Sequence, residues 1–292
     1  MRRLFLHAPW CAACRPKMRL ALPQITLVAI DTRAPALAAQ SLLHSMSGID
    51  FGRVLLFTHD WVPRRVLPGI ELVEIPRIES GAEYSHFVMR RLPAYIKSSH
   101  VLVTQWDGFV IDPRAWRSEF LVHDYIGAVW PDQPAGRNVG NGGFSLRSRR
   151  FLAAGLDLRI TETHPEDEVL CRSQREFLER EHGVSFAPPE LARRFAYENE
   201  SAGDVVFGFH GPYHLPRFLD EPTLLKWMQA MPDDFYLTRD ARRLARAALR
   251  HGMPHLVQQV VARRQAAGRH ETSTALMAAL ASVLGRFETR AG

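Results

Sequence analysis

A chain of 292 residues can hold one large or two modest domains, and its 46% hydrophobic content supplies a real core, which excludes disorder as the default. Of the cysteines, Cys11 and Cys14 sit close together and Cys171 stands alone, which excludes a disulfide framework and a four-ligand zinc set and fits a reducing cytoplasm. The net charge of +6 is concentrated at one end: residues 239–292 hold ten arginines against Asp240, Glu271 and Glu288, a balance of +7 that leaves −1 for the rest, so the charge does not argue for a nucleic-acid-binding protein.

The first apolar run, Gln24 to Ile30, reads as a strand ending at Asp31-Thr32-Arg33, and Ala36 to His44 reads as the helix it feeds. Strands follow at Arg53 to Thr58 and Ile70 to Ile75. A helix is expected over Tyr84 to Lys97, with Phe87, Val88, Leu92 and Ile96 on one face, and a strand over His100 to Thr104. Strands alternating with helices imply an α/β fold with a mostly parallel sheet, whose ligands gather beyond the carboxyl ends of the strands.

After Asp107 the alternation loosens. The sequence predicts a helical piece at Trp116 to Phe120, a strand at Tyr125 to Val129, a glycine-rich loop at Gly136 to Gly143, a helix over Asp167 to His182 and a last strand over Asp204 to Phe209. From Pro222 the pattern is helical: Leu224 to Ala230, Arg239 to His251, Pro254 to Ala267, and Ser273 to Phe287 with Leu276, Leu280, Val283 and Phe287 as an apolar stripe that argues for docking. The expected division is a leader over 1–23, an α/β domain over 24–220 and a basic helical extension over 221–292. No apolar run approaches the roughly 20 residues of a spanning helix, and Met1 to Arg19 lacks the apolar centre of a secretory signal, so the chain reads as soluble.

Four groups of residues carry chemistry. Gln105 and Asp107 lie two apart at the end of a strand and so share a face, where their oxygens suit a hard divalent cation completed by substrate phosphates; a turn-capping Asp107 is the plain alternative. His210, between glycines at the end of another strand, can complete that shell or be an ordinary hydrogen-bonded histidine. In Asn141-Gly142-Gly143 the backbone amides and the Asn141 amide can meet sugar hydroxyls, although Asn-Gly is also a strong turn signal; Trp130 and Pro131 offer an apolar platform or a buried indole. Glu166, Asp167 and Glu168 open a helix after Pro165, either as dipole-matched first-turn acids or as the source of a general base. Trp10-Cys11-Ala12-Ala13-Cys14 mimics a redox motif, but no strand precedes it and Pro16 follows, which argues against that role.

Together, residues 24 to about 220 resemble the GT-A glycosyltransferase superfamily. They look still more like an uncharacterised glycosyltransferase-like domain family of bacterial sugar loci, through Gln105-Trp106-Asp107-Gly108-Phe109, Asp124 to Ala128, Gly140 to Arg147 and Pro165-Glu166-Asp167. The resemblance implies a GT-A-like, Rossmann-like sheet flanked by helices. It also implies Mn2+ or Mg2+ on Asp107 and His210, with Gln105 standing where an aspartate is expected and weakening the metal site. It places Asp31 and Arg33 near the nucleotide, Asn141, Gly142 and Gly143 near the transferred sugar, and Asp167, with Glu166 beside it, as the base of an inverting transfer. The implied partners are a nucleotide-sugar donor and a saccharide or glycoconjugate acceptor, in the cytoplasm, with no specific nucleic acid. The arginine-rich helices leave open a solvated face or peripheral contact with an anionic surface at the inner membrane. A non-catalytic binding module on the same fold, or an adaptor acting through the basic tail, is the competing expectation.

Overall fold

The computed structural model describes residues 19–134, 136–199 and 205–291, without the side chains of 284–291; Cys11, Cys14 and all but the end of the 1–23 leader lie outside the described residues. Strand β1 (Leu20–Ile30) is buried continuously from Ile25 to Ile30, the pattern of a central strand covered on both faces. It feeds α1 (Pro35–Met46), which Pro35 starts, then β2 (Ile49–Thr58) and β3 (Glu71–Glu74). Helix α2 (Gly81–Arg90) is capped by Ser80, whose side chain accepts the Glu83 N–H. The single helix expected to Lys97 stops at Arg90, because Pro93 turns Leu92–Tyr95 into a tight 3-10 turn; Leu92 and Ile96 still bury beside Phe87 and Val88. Strand β4 (His100–Thr104) has the bounds the sequence predicts.

The second half is built of shorter pieces. Strands β5 (Gly108–Val110), β6 (Tyr125–Ile126) and β7 (Phe144–Ser148) precede α3 (Arg149–Ala154). The helical piece expected near Trp116 is two 3-10 turns, Pro113–Ala115 and Ser118–Leu121. Of the strand expected to Val129, the part past Ile126 makes only an isolated bridge from Val129 to Val139. The helix expected over Asp167 to His182 is a first turn α4 (Glu166–Glu168), a wide π turn (Val169–Ser173) that buries Val169, Leu170 and Cys171 in succession, and α5 (Arg175–His182). Helix α6 (Pro189–Phe195), β8 (Ala196–Tyr197) and β9 (Gly208–His210) follow.

The main sheet has the order β3-β2-β1-β4-β7-β6; its first four strands are parallel, while β7 runs antiparallel to β4 and β6 to β7. This is the α/β, mostly parallel, helix-flanked sheet the sequence predicts. A second sheet, β5-β9-β8, starts where β4 ends. Helices α7 (Glu221–Ala230), α8 (Arg239–Arg250), α9 (Pro254–Ala266) and α10 (Thr272–Ala291) complete the chain. Their Trp227, Leu244 and Leu256 share one apolar cluster with Phe109, Phe209 and Leu215 of the second sheet and the turn after it, so the cluster spans position 220. Of the expected α10 stripe, Leu276, Leu280 and Val283 are exposed while Met277 and Ala281 pack inward, and the Phe287 side chain lies outside the described residues. No described helix is long and apolar enough to cross a membrane.

Candidate functional site

Asp107 and His210 converge although they belong to different sheets, Asp107 following β4 of the main sheet and His210 ending β9 of the second. Pairing of β5 with β9 sets Gly108 opposite His210, which brings the imidazole back beside the end of β4. Asp107 Oδ1 lies 3.3 Å from His210 Nε2, within ion-pair range but without hydrogen-bond alignment, and is otherwise a buried carboxylate oxygen with no partner. Gln105 Oε1 lies 3.2 Å from the same nitrogen. On the far side of the ring, His210 Nδ1 is 3.1 Å from Glu198 Oε1. Burial works against charge on this imidazole, but Asp107 and Glu198 outweigh it and raise its pKa well above the usual histidine range.

The glycine loop is shaped around that ring. Any side chain on Gly143 would occupy the space of the His210 imidazole, and one on Gly140 the space of the Trp130 indole. Asn141 holds the turn between them at φ 75°, a left-handed conformation asparagine tolerates. Its Oδ1 accepts the N–H groups of Gly143 and Phe144 at 2.9 and 3.1 Å, and its Nδ2 lies 3.2 Å from His210 Nδ1. The Asn141 amide expected to meet sugar hydroxyls is thus spent inside the protein, with the residue 2% exposed.

The three acids after Pro165 separate by direction. Glu166 turns inward onto Arg147, with 2.7 Å between Oε1 and the guanidinium, and is not free to act as a base. Asp167 stays at the cavity: its Oδ2 accepts the Gly142 N–H and its Oδ1 the Glu168 N–H, both at 2.9 Å. Glu168 pairs with Arg172 one turn on. Ser85 Oγ accepts the Glu166 N–H at 3.2 Å and lies 2.9 Å from His164 Nδ1, which fixes the His164 ring at the cavity edge.

Gln105, Trp130, Gly142, Gly143, Asp167 and His210 line one cavity of about 390 Å3, a size suited to a small ligand. A neighbouring cavity of about 250 Å3 shares its Gly81, Tyr84 and Gln105 and extends to Asp31 and Arg33. Asp31 Oδ1 accepts the N–H groups of Arg33 and Ala34 at 2.8 and 2.7 Å, and burial lifts its carboxyl above the usual range. The Arg33 guanidinium is directed to Asp234, 2.6 Å from each carboxylate oxygen.

Among the described residues, no group of three or more His, Cys, Asp or Glu side chains is placed to hold a metal. The orphaned Asp107 oxygen, the Gln105 amide oxygen and His210 Nε2, once it has given up its proton, nevertheless fit an Mn2+ or Mg2+ ion that takes its remaining ligands from water and substrate phosphates. Sequence reasoning missed Glu198, Arg147, Ser85 and His164. Glu198 follows a two-residue strand too short for any periodicity, and Arg147, which in the sequence is only the end of the Gly140 to Arg147 motif, is buried by the fold.

Residues 69–210, just under half of the chain and including every residue of the first cavity named above, match a family described as a protein of unknown function (DUF5672). No curated protein matches the chain. Among solved structures it is similar to the apo-form glycosyltransferase GlyE of Streptococcus pneumoniae TIGR4, at 14% identity and a TM-score of 0.39, over 63% of this chain and 53% of that one. The chain spans about half the length of that structure.

Proposed function

We propose that the chain is a glycosyltransferase that moves a sugar from a nucleoside-diphosphate sugar to a hydroxyl of a saccharide or glycoconjugate. The observation that carries this reading is one cavity with Gln105 and His210 on one wall, the buried Asp107 carboxylate 3.3 Å behind His210 Nε2, the Asp167 carboxylate on another wall, and the bare backbone of Gly142 and Gly143 in its lining.

In this reading Asp107 and His210, aided by the Gln105 oxygen, hold Mn2+ or Mg2+, which supplies neutralising charge for a diphosphate leaving group. Gly142 and Gly143 let a sugar ring approach the main chain, and Trp130 offers it an apolar face. Asp31 and the adjoining cavity take the nucleoside. Asp167, its Oδ2 anchored by the Gly142 amide, takes the proton of the acceptor hydroxyl. The freed oxygen pair attacks the anomeric carbon from the face opposite the leaving group. The carbon–oxygen bond to the diphosphate then breaks with its electron pair, and configuration inverts. A cytoplasmic site, with the arginine-rich helices turned toward an anionic acceptor or membrane surface, belongs to the same proposal.

A binding module without turnover is the second reading, and Gln105 favours it, since an amide is a weaker ligand for a hard cation than a carboxylate. The test is nucleoside diphosphate release from a panel of nucleotide sugars with Mn2+, with and without saccharide acceptors. Release that requires Asp167 supports transfer. Donor binding without release from any donor supports the binding module.

A further inference from the structure

The C-terminal segment reaches Arg33 through Asp234, and the basic helix α8 reaches toward His210 through Arg243. On α8, Arg243 lays its guanidinium over the Tyr213 ring, 3.3 Å from its centroid, and donates to Asn199 Oδ1 at 3.1 Å. The Tyr213 hydroxyl donates to the same oxygen at 3.3 Å, and His214 Nε2 donates to the Glu198 carbonyl at 2.6 Å. The Glu198 side chain is held in turn: Oε2 accepts Asn199 Nδ2 at 3.1 Å, while Oε1 faces His210 Nδ1. An unbroken series of contacts therefore runs from the C-terminal layer to the imidazole beside Asp107.

We propose that Glu198 and Arg243 are positioning residues for His210, which makes the C-terminal helical layer part of the site and not only a charged surface beside it. A carboxylate on one ring nitrogen sets the rotation and tautomer of an imidazole, so Glu198 on Nδ1 aims Nε2 at Asp107 and Gln105. Arg243 acts one step further out. Its planar guanidinium stacks on Tyr213 and bonds Asn199 at once, which a lysine ammonium cannot reproduce. Arg246, on the same helix, is exposed and provides a charge-matched control.

The test is a long-range 1H–15N spectrum of the histidine side chains, with the His210 signals identified by their loss in His210→Gln. Glu198→Ala and Arg243→Ala are expected to move the His210 signals, and Arg246→Ala to leave them in place. Should either alanine variant fail to fold, Glu198→Gln or Arg243→Lys is held to the same criterion. Unmoved His210 signals in folded Glu198 and Arg243 variants, or an equal movement in Arg246→Ala, would overturn the proposal. A second arm, Mn2+ binding followed by the electron spin resonance of the free ion, rests on the metal reading above. There the Glu198 and Arg243 variants are expected to bind about 10- to 100-fold more weakly, the usual effect of losing an outer-shell partner, and Arg246→Ala as wild type. Wild-type protein that binds no Mn2+ while its His210 signals respond as stated would remove the metal reading and leave the positioning role standing.

Discussion

Arg147 donates to Glu166 at 2.7 Å with the two side chains only 1% and 5% exposed, so the first acid of the Glu166-Asp167-Glu168 run is committed to an internal ion pair beneath the glycine loop. Among the three, Glu168 pairs with Arg172, and the neighbouring Asp167 lines the cavity with no cation among the described residues paired to it. Two adjacent carboxylates thus predict opposite mutational phenotypes. Glu166→Gln leaves Arg147 buried without its counter-charge and is expected to destabilise the fold by about 3–5 kcal/mol. Asp167→Asn keeps an oxygen for the Gly142 amide and loses only the acceptor of the Glu168 N–H, so it should cost about 1 kcal/mol of stability while transfer falls about 10²- to 10⁴-fold. Denaturant unfolding and transfer rates on both variants check this; normal transfer by folded Asp167→Asn would move the base elsewhere.

Gly143→Ala places a methyl group where the His210 imidazole lies. Either the ring or the loop must move, with a cost of about 1–3 kcal/mol typical of overpacking. The displaced imidazole should also weaken nucleoside diphosphate binding in the presence of Mn2+, measured by calorimetry. Binding at wild-type strength would show that the ring position is immaterial to the ligand.

Burial pushes His214 down to about 4, below the ordinary histidine value near 6.5. Between those values the unfolded chain takes up a proton that the folded chain refuses, so stability is full above about pH 6.5 and falls as pH drops toward 4. The loss attributable to this residue is on the order of 3 kcal/mol at about 1.4 kcal/mol per unit. Urea unfolding of wild type and His214→Gln across that range should show a shallower pH slope in the variant; parallel curves would contradict it.

Ending the chain at Thr238 removes Leu244, Ala245, Leu256 and Val260, which share an apolar cluster with Phe209 and Leu215. The truncated protein is expected to melt well below wild type, and its second sheet, which carries His210, should lose hydrogen-exchange protection first. Unchanged melting would show that the helices after Thr238 contribute nothing to that core.

The strand and helix alternation up to Thr104 was legible because long buried runs such as Ile25 to Ile30 and His100 to Thr104 leave a clear pattern. The meeting of Asp107 with His210 was legible as two strand ends, but the sheet that joins them was not, since β5, β8 and β9 are two or three residues long and too short to show a period. The helix after Pro165 was visible, but its π turn was not, because nothing in Val169-Leu170-Cys171 distinguishes a wide turn from a regular one. The roles of Glu166 and Arg147 depended on burial alone: sequence spacing offers three equivalent acids, and only the fold turns one of them inward.

In the proposed function, Asp107 and its neighbours receive a metal-bound nucleoside diphosphate. The most direct measurement is the thermal shift given by a panel of nucleoside diphosphates with and without Mn2+, on wild type and Asp107→Ala. At ligand concentrations of about 100 times Kd, binding should stabilise wild type by roughly 2.7 kcal/mol and raise Tm by a few degrees. At least one nucleoside diphosphate is expected to do so in an Mn2+-dependent manner, and Asp107→Ala to abolish the shift. An Mn2+-dependent shift that survives intact in Asp107→Ala, or no shift with any nucleoside diphosphate, would contradict this reading.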